Sequence, residues 1–179
     1  MLPLRFRQFL LLCLVIPLVR AAVVPRMAFE QLVSDSPRIV HGKVVAADVA
    51  RSGQYLWTHY RIQVFDSLRG ALPSEITVSE PGGTLDGVSM QVTGAVPFRL
   101  AEEVVLFLYQ TPIGFWRIRG SAQGKFDVSG SASGKRVRAA MRSIETLPSV
   151  RAATGRSIDS IDGSTLTDFL NEIRREALK

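Results

Sequence analysis

The chain of 179 residues has the length of one domain, and its 22 Lys and Arg against 16 Asp and Glu give a formal charge of +6. A single cysteine excludes an internal disulfide framework, so a hydrophobic core must supply the stability. Arg5, Arg7 and Arg20 lie in an N-terminal leader, and the remaining 19 basic against 16 acidic residues leave a balance of only +3, which argues against a nucleic-acid partner.

The leader occupies residues 1–21. Arg5 and Arg7 make a positive start, and residues 9–19 form an apolar run of eleven, broken only by Pro17. Val19 and Ala21 then stand three and one positions before a cut. That layout predicts a cleaved secretory signal and an exported product, periplasmic or extracellular. The run is shorter than the roughly 20 residues a membrane-crossing helix needs, so no membrane span is expected once it is removed. A retained anchor and a cut after Ala22 are the alternatives. Cys13 sits inside the run between Leu12 and Leu14, the wrong context for a lipidated cysteine, and it leaves with the leader. The 158 residues that remain after Ala21 can bury a sizeable core.

Residues 27–33 read as a short helix with Phe29, Leu32 and Val33 on one face, stopped by Ser34-Asp35-Ser36-Pro37. The period then changes to two. A strand is expected over 39–49, with Gly42 marking a bulge or sharp bend, then a turn at 51–54. Residues 55–65 form a second strand: Tyr60, Ile62 and Val64 face one way, His59, Arg61 and Gln63 the other. A loop over 68–73 leads to a third strand at 76–79, and Pro81-Gly82-Gly83 is a turn. Residues 85–92 alternate weakly as a fourth strand. Residues 104–109 (VVLFLY) are an unbroken apolar run, which implies burial on both faces. A turn at 112–114 leads to strands at 115–119 and 124–128. Phe115 and Trp116 have opposite parity, which predicts one buried and one exposed.

Residues 22–128 therefore read as one mainly β domain, a small barrel or sandwich. Residues 129–163 read as a flexible and basic connector: SGSASG at 129–134, then Lys135, Arg136, Arg138 and Arg142 in a stretch open to a helical reading, then no clear pattern. Residues 164–179 form a C-terminal helix. Ser164 or Thr165 caps it, and Leu166, Phe169, Leu170, Ile173 and Ala177 make an apolar stripe that packs on the sheet.

The motifs Ile39-Val40-His41-Gly42-Lys43-Val44, Leu68-Arg69-Gly70, Ile76-Thr77-Val78, Pro81-Gly82-Gly83, Glu102-Glu103-Val104-Val105-Leu106-Phe107-Leu108 and Ala122-Gln123-Gly124-Lys125-Phe126 fall in order within residues 38–128. Together they resemble a group of uncharacterised exported bacterial proteins. More distantly, they resemble the netrin-like domain of the tissue inhibitors of metalloproteinases. The resemblance implies an OB-like (netrin-like) β-barrel of five strands, here with a short N-terminal helix and a C-terminal helix. Those inhibitors act through an N-terminal cysteine at the protease zinc. This chain has no cysteine after its leader, so no residue inherits that mechanism.

Few residues offer chemistry. His41 and His59 lie on separate strands without a second His or a Cys at ligand spacing, so no metal site is expected, and His41 reads as a hydrogen-bonded neighbour of the core. No Gly-x-Ser-x-Gly elbow occurs. Glu102 and Glu103 point to opposite faces of a strand and cannot share an acid–base site. No phosphate-loop Lys-Ser/Thr follows Gly82-Gly83 or Asp86-Gly87, and no cofactor pattern is present. The remaining candidate is the outer face of the second strand. Trp57, His59 and Arg61 combine a stacking ring, a titratable donor and a fixed cation, a mixture suited to a ligand. The competing reading, which is the favoured one, has Trp57 covering the edge of the barrel under a loop or the C-terminal helix. The leading expectation is an exported, non-enzymatic domain that binds a protein or glycan. An inhibitor or accessory of an exported protease, and an enzyme of unrecognised type, are the alternatives.

Overall fold

Residues 25–131, 134–140 and 155–179 are described by a computed structural model. The leader at 1–21 lies outside the described residues, as do residues 132–133 and 141–154 of the 129–163 segment.

Among the described residues the chain is mainly β, with two α-helices. Helix α1 (Phe29–Ser34) buries Phe29, Leu32 and Val33. Ser36 turns the chain out of it by donating its hydroxyl to Leu32 O at 2.7 Å. The long strands β1 (Arg38–Ser52) and β2 (Tyr55–Arg69) then form an antiparallel hairpin. Their register slips between His41 and Gly42, where sequence places a bulge. The glycine is required there by space: a Cβ at Gly42 would stand 2.4 Å from Gln63 O. Buried and exposed residues alternate along β2, with Tyr60 and Ile62 inward and Arg61 and Gln63 outward.

Strand β3 (Glu75–Pro81) pairs with β2. The chain then leaves the sheet. The 85–92 segment, expected as one strand, is cut in two: β4 (Gly83–Leu85) and β5 (Val88–Met90) form a small separate hairpin. Asp86 and Gly87 both have positive φ, 51° and 77°, the condition for a two-residue turn matched to strand twist. The Asp-Gly pair outweighs the weak alternation around it.

Strand β6 (Glu103–Gln110) pairs with β1 on one side. On the other it pairs with β7 (Trp116–Ile118) and β8 (Lys125–Ser129). One parallel bridge, Val78 to Trp116, joins β3 to β7. Pairing thus runs β1-β2-β3-β7-β6 and returns from β6 to β1. The apolar run of β6 serves two cores. Val105 and Phe107 join Phe29, Phe126, Phe169 and Ile173 beneath the helices. Val104, Leu106 and Leu108 join Val40, Ile62, Val78 and Ile118 on the other side.

Beyond β8 the structure departs from the expected basic, helix-prone stretch. Residues 136–139 are a strand, β9 (Arg136–Ala139), paired with β8. The arginines at 136 and 138 are exposed and Val137 and Ala139 buried, a period of two that the density of basic residues obscures. Helix α2 (Leu166–Ala177) follows the expected pattern. Thr165 caps it by accepting from Asp168 N–H, and Leu166, Phe169 and Ile173 are buried. Among the described residues, no helix is long and apolar enough to cross a membrane.

Candidate functional site

The outer row of β2 is the place to begin. Trp57 is half-buried, because Phe115 from the β6–β7 turn lies edge-on to it at 5.2 Å between ring centroids. The Arg117 guanidinium sits 5.7 Å over the same indole. His59 shares a 2.8 Å hydrogen bond between Nδ1 and Ser79 Oγ, and Phe115 covers it edge-on at 5.5 Å. The structure therefore brings Trp57 and His59 together under one ring. Arg61 stands apart: half of its side chain is exposed, and its contact is Glu75 at 3.9 Å. Phe115 and Trp116, expected as one buried and one exposed, are both half-buried. Phe115 covers the β2 row, while Trp116 packs on the second core beside Arg38.

Asp48, His59 and Ser79 occupy one cross-strand row through the β1–β2 and β2–β3 registers. Their order resembles that of a hydrolytic triad, but the geometry does not. Ser79 is only 2% exposed, so its hydroxyl cannot meet a substrate carbonyl. His59, held by Ser79, backs Phe115.

The other singled-out polar residues are committed to hydrogen bonds and ion pairs. His41 donates from Nε2 to Glu103 Oε1 at 2.8 Å, and Lys135 reaches Glu103 Oε2 at 2.7 Å. Burial alone would raise the Glu103 pKa, but the hydrogen bonds from Lys135 and His41 more than offset it and hold the carboxyl below its ordinary range. Glu102 pairs with a different cation, Lys125, at 3.1 Å, so the neighbouring glutamates share no partner. Among the described residues, no three His, Cys, Asp or Glu side chains are placed to hold a metal ion.

Among the described residues, a space able to hold a ligand lies on the inward side of β2, across the strand from Trp57. It is a cleft of about 400 Å³. Its floor is Thr58, Tyr60 and Glu80, and its rims are the β4–β5 hairpin and the irregular 91–97 segment. Gly82 and Gly83 let the chain leave β3 at its edge. Gly82 donates to Leu56 O at 2.8 Å and accepts from the Thr58 hydroxyl at 2.7 Å, while its φ of 108° lies where side chains are strained. Tyr60 is wedged against Phe98 at 4.6 Å between centroids.

Glu80 explains how the sheet and the cleft meet. Past Val78 the β3 backbone no longer pairs with β7. The Glu80 carboxylate takes over: Oε1 accepts from Ile118 N–H at 3.0 Å and Oε2 from Arg117 at 3.2 Å. Sequence reasoning missed this residue because it closed the third strand at Ser79. The available signal was parity: Ile76, Val78 and Glu80 fall in one inward row, and a charge in such a row needs a partner.

Burial pushes the Glu80 pKa above its ordinary value, and the Ile118 N–H and Arg117 pull it back only in part. The folded chain therefore binds this proton more tightly than the unfolded chain does. The contribution is fully present below about pH 4.5, the ordinary value, and is lost as pH rises through the raised one. Denaturant titrations of wild type and Glu80→Gln are expected to show the wild-type advantage shrinking from below pH 4.5 towards neutrality. An advantage that grows over that range would mean that Arg117 outweighs burial.

No protein-family model matches the chain, nor does any curated protein or solved structure.

Proposed function

We propose that this chain is an exported, non-catalytic binding domain built on an OB-like barrel, and that its ligand sits in the cleft over Thr58, Tyr60 and Glu80. The barrel reading is supported by the return of pairing from β6 to β1 and by the parallel contact of β3 with β7. The cleft carries the functional reading. Its volume of about 400 Å³ falls in the range of small-molecule sites, about 300–1,000 Å³. It combines apolar walls with a few convergent polar groups, and a hairpin outside the main sheet frames it. Trp57 and His59 spend much of their ring surface on Phe115, which leaves the outer row less to offer.

Amide NMR of the protein against a library of small metabolites and short oligosaccharides tests the reading. Shifts are expected to cluster at Tyr60, Met90 and Val96. Ala95→Trp, which fills the cleft from its rim, should abolish them and leave the rest of the spectrum in place. Shifts centred on Trp57, His59 and Arg61 would place binding on the outer face, and turnover of a library member would make the protein an enzyme. Export carries its own expectation: mass spectrometry of the protein recovered outside the cytoplasm should find Ala22 or a close neighbour at the N-terminus. Residues 1–20 still attached would reverse that.

A further inference from the structure

We infer that the cleft selects a small ligand carrying a protonated amine on a compact apolar body, an inference that rests on the cleft being the binding site. The lining itself sets the sign of charge. Among the described residues around the cleft none is Lys, Arg or His, and the one ionisable carboxyl is Glu80. An anion entering there would face a buried carboxylate whose partner cation, Arg117, bonds it from β7 and is not part of the lining.

Hydrogen-bond capacity points the same way. The Thr58 hydroxyl gives its proton to Gly82 O, and the Thr84 hydroxyl gives its own to Ser89 Oγ at 3.2 Å. Both oxygens keep lone pairs and have no proton left to offer. A carboxylate has about four acceptor positions. At Glu80, Ile118 N–H takes one and Arg117 another, which leaves two. Arg117 approaches Glu80 from β7 and lays its guanidinium over Trp57, outside the cleft lining. Beside the donors of Tyr60, Ser89 and Gln91, the cleft thus presents the unspent acceptors of Thr58, Thr84 and Glu80, and an ammonium group, with three donors and no acceptor, is the complement of these. Pro81, Met90, Val96 and Pro97 supply the apolar part of the wall, and the unbranched Met90 side chain adapts to the shape of the body carried by the amine.

The test uses three probes of similar size and shape: benzylamine, benzyl alcohol and benzoate, each titrated into the labelled protein at neutral pH and followed at the Met90 and Val96 amides. Benzylamine is expected to bind about tenfold or more tightly than benzyl alcohol, with benzoate causing no shift. Glu80→Gln should bring the amine and the alcohol to equal affinity. Because Glu80 also ties β3 to β7, a second variant guards against a folding defect. Ser89→Lys, at an exposed hairpin position, should weaken benzylamine and admit benzoate. Benzyl alcohol or benzoate binding in the cleft as tightly as the amine would overturn the amine preference and leave the cleft as a site. No shift at Met90 or Val96 with any of the three would count against the cleft itself.

Discussion

Phe169→Ala is expected to lower the unfolding free energy by about 3–5 kcal/mol, the usual cost of emptying a fully buried aromatic position. The ring is 0% exposed. It stands 4.7 Å from Phe126, 6.1 Å from Phe29 and 6.4 Å from Phe107, centroid to centroid. These partners come from β8, α1 and β6, so one side chain ties three separate parts of the sequence together. Helix α2 has 12 residues, and an isolated helix shorter than about 12–15 is marginal in water, so its order depends on this docking. Truncation before Ser164 should cost more still. Val137 donates to Ser164 O and Leu166 to Lys135 O, so the cut also strips the outer edge of β9. Urea denaturation measures both. An unchanged midpoint in either variant would show that the helix is not part of the folded unit.

Lys125→Ala is the second large effect. Lys125 is 2% exposed, and its ammonium lies between Glu102 Oε1 at 3.1 Å and Asp127 Oδ1 at 2.5 Å, with the Phe98 ring 5.1 Å from it. Removing one partner of a buried ion pair costs about 3–5 kcal/mol, because the other is left charged and dry. The Asp127 side chain is 34% exposed, so water takes up part of the loss and the lower end of that range applies. The decisive comparison is the triple variant Lys125→Met, Glu102→Gln, Asp127→Asn. It removes all three charges together and should recover most of the stability that Lys125→Ala loses. A triple variant as unstable as the single one would mean that the aliphatic stem of Lys125, packed on Phe98, matters more than its charge.

Much of the fold is legible in single residues. The β6 run has no polar residue to mark an outer face, and it has none because helices lie over one side and a second core over the other. Gly42 breaks a Val-rich strand, and the register slips beside it. The α2 stripe and its Thr165 cap are local signals that distant contacts reinforce. The failures have a common cause: composition or a short pattern competes with pairing partners that sequence does not display. Three basic residues in a row of four, Lys135, Arg136 and Arg138, hide the alternation of β9. A weak alternation over 85–92 hides the Asp86-Gly87 turn. The outer row of Trp57 and His59 was visible from parity, but Phe115, which covers it, arrives from a turn far along the chain. The cleft was invisible, because it exists only where the β4–β5 hairpin and the 91–97 segment are held over β2.

The single bridge between β3 and β7 has a mechanical consequence. Strand pairs part first where the fewest rungs hold them, and the β1–β2 contact has many rungs while this one has a single backbone bridge and a glutamate side chain. Opening of the domain therefore starts as a zipper does, from its loosest end. The amide protons of Ile118 and its neighbours should trade with deuterium in heavy water well before those at the centre of β6. Since the glutamate that bolts this seam is also the floor of the cleft, an occupant that draws on the same carboxylate changes how often the seam comes apart. The exchange rate at Ile118 then reports occupancy without any label on the ligand.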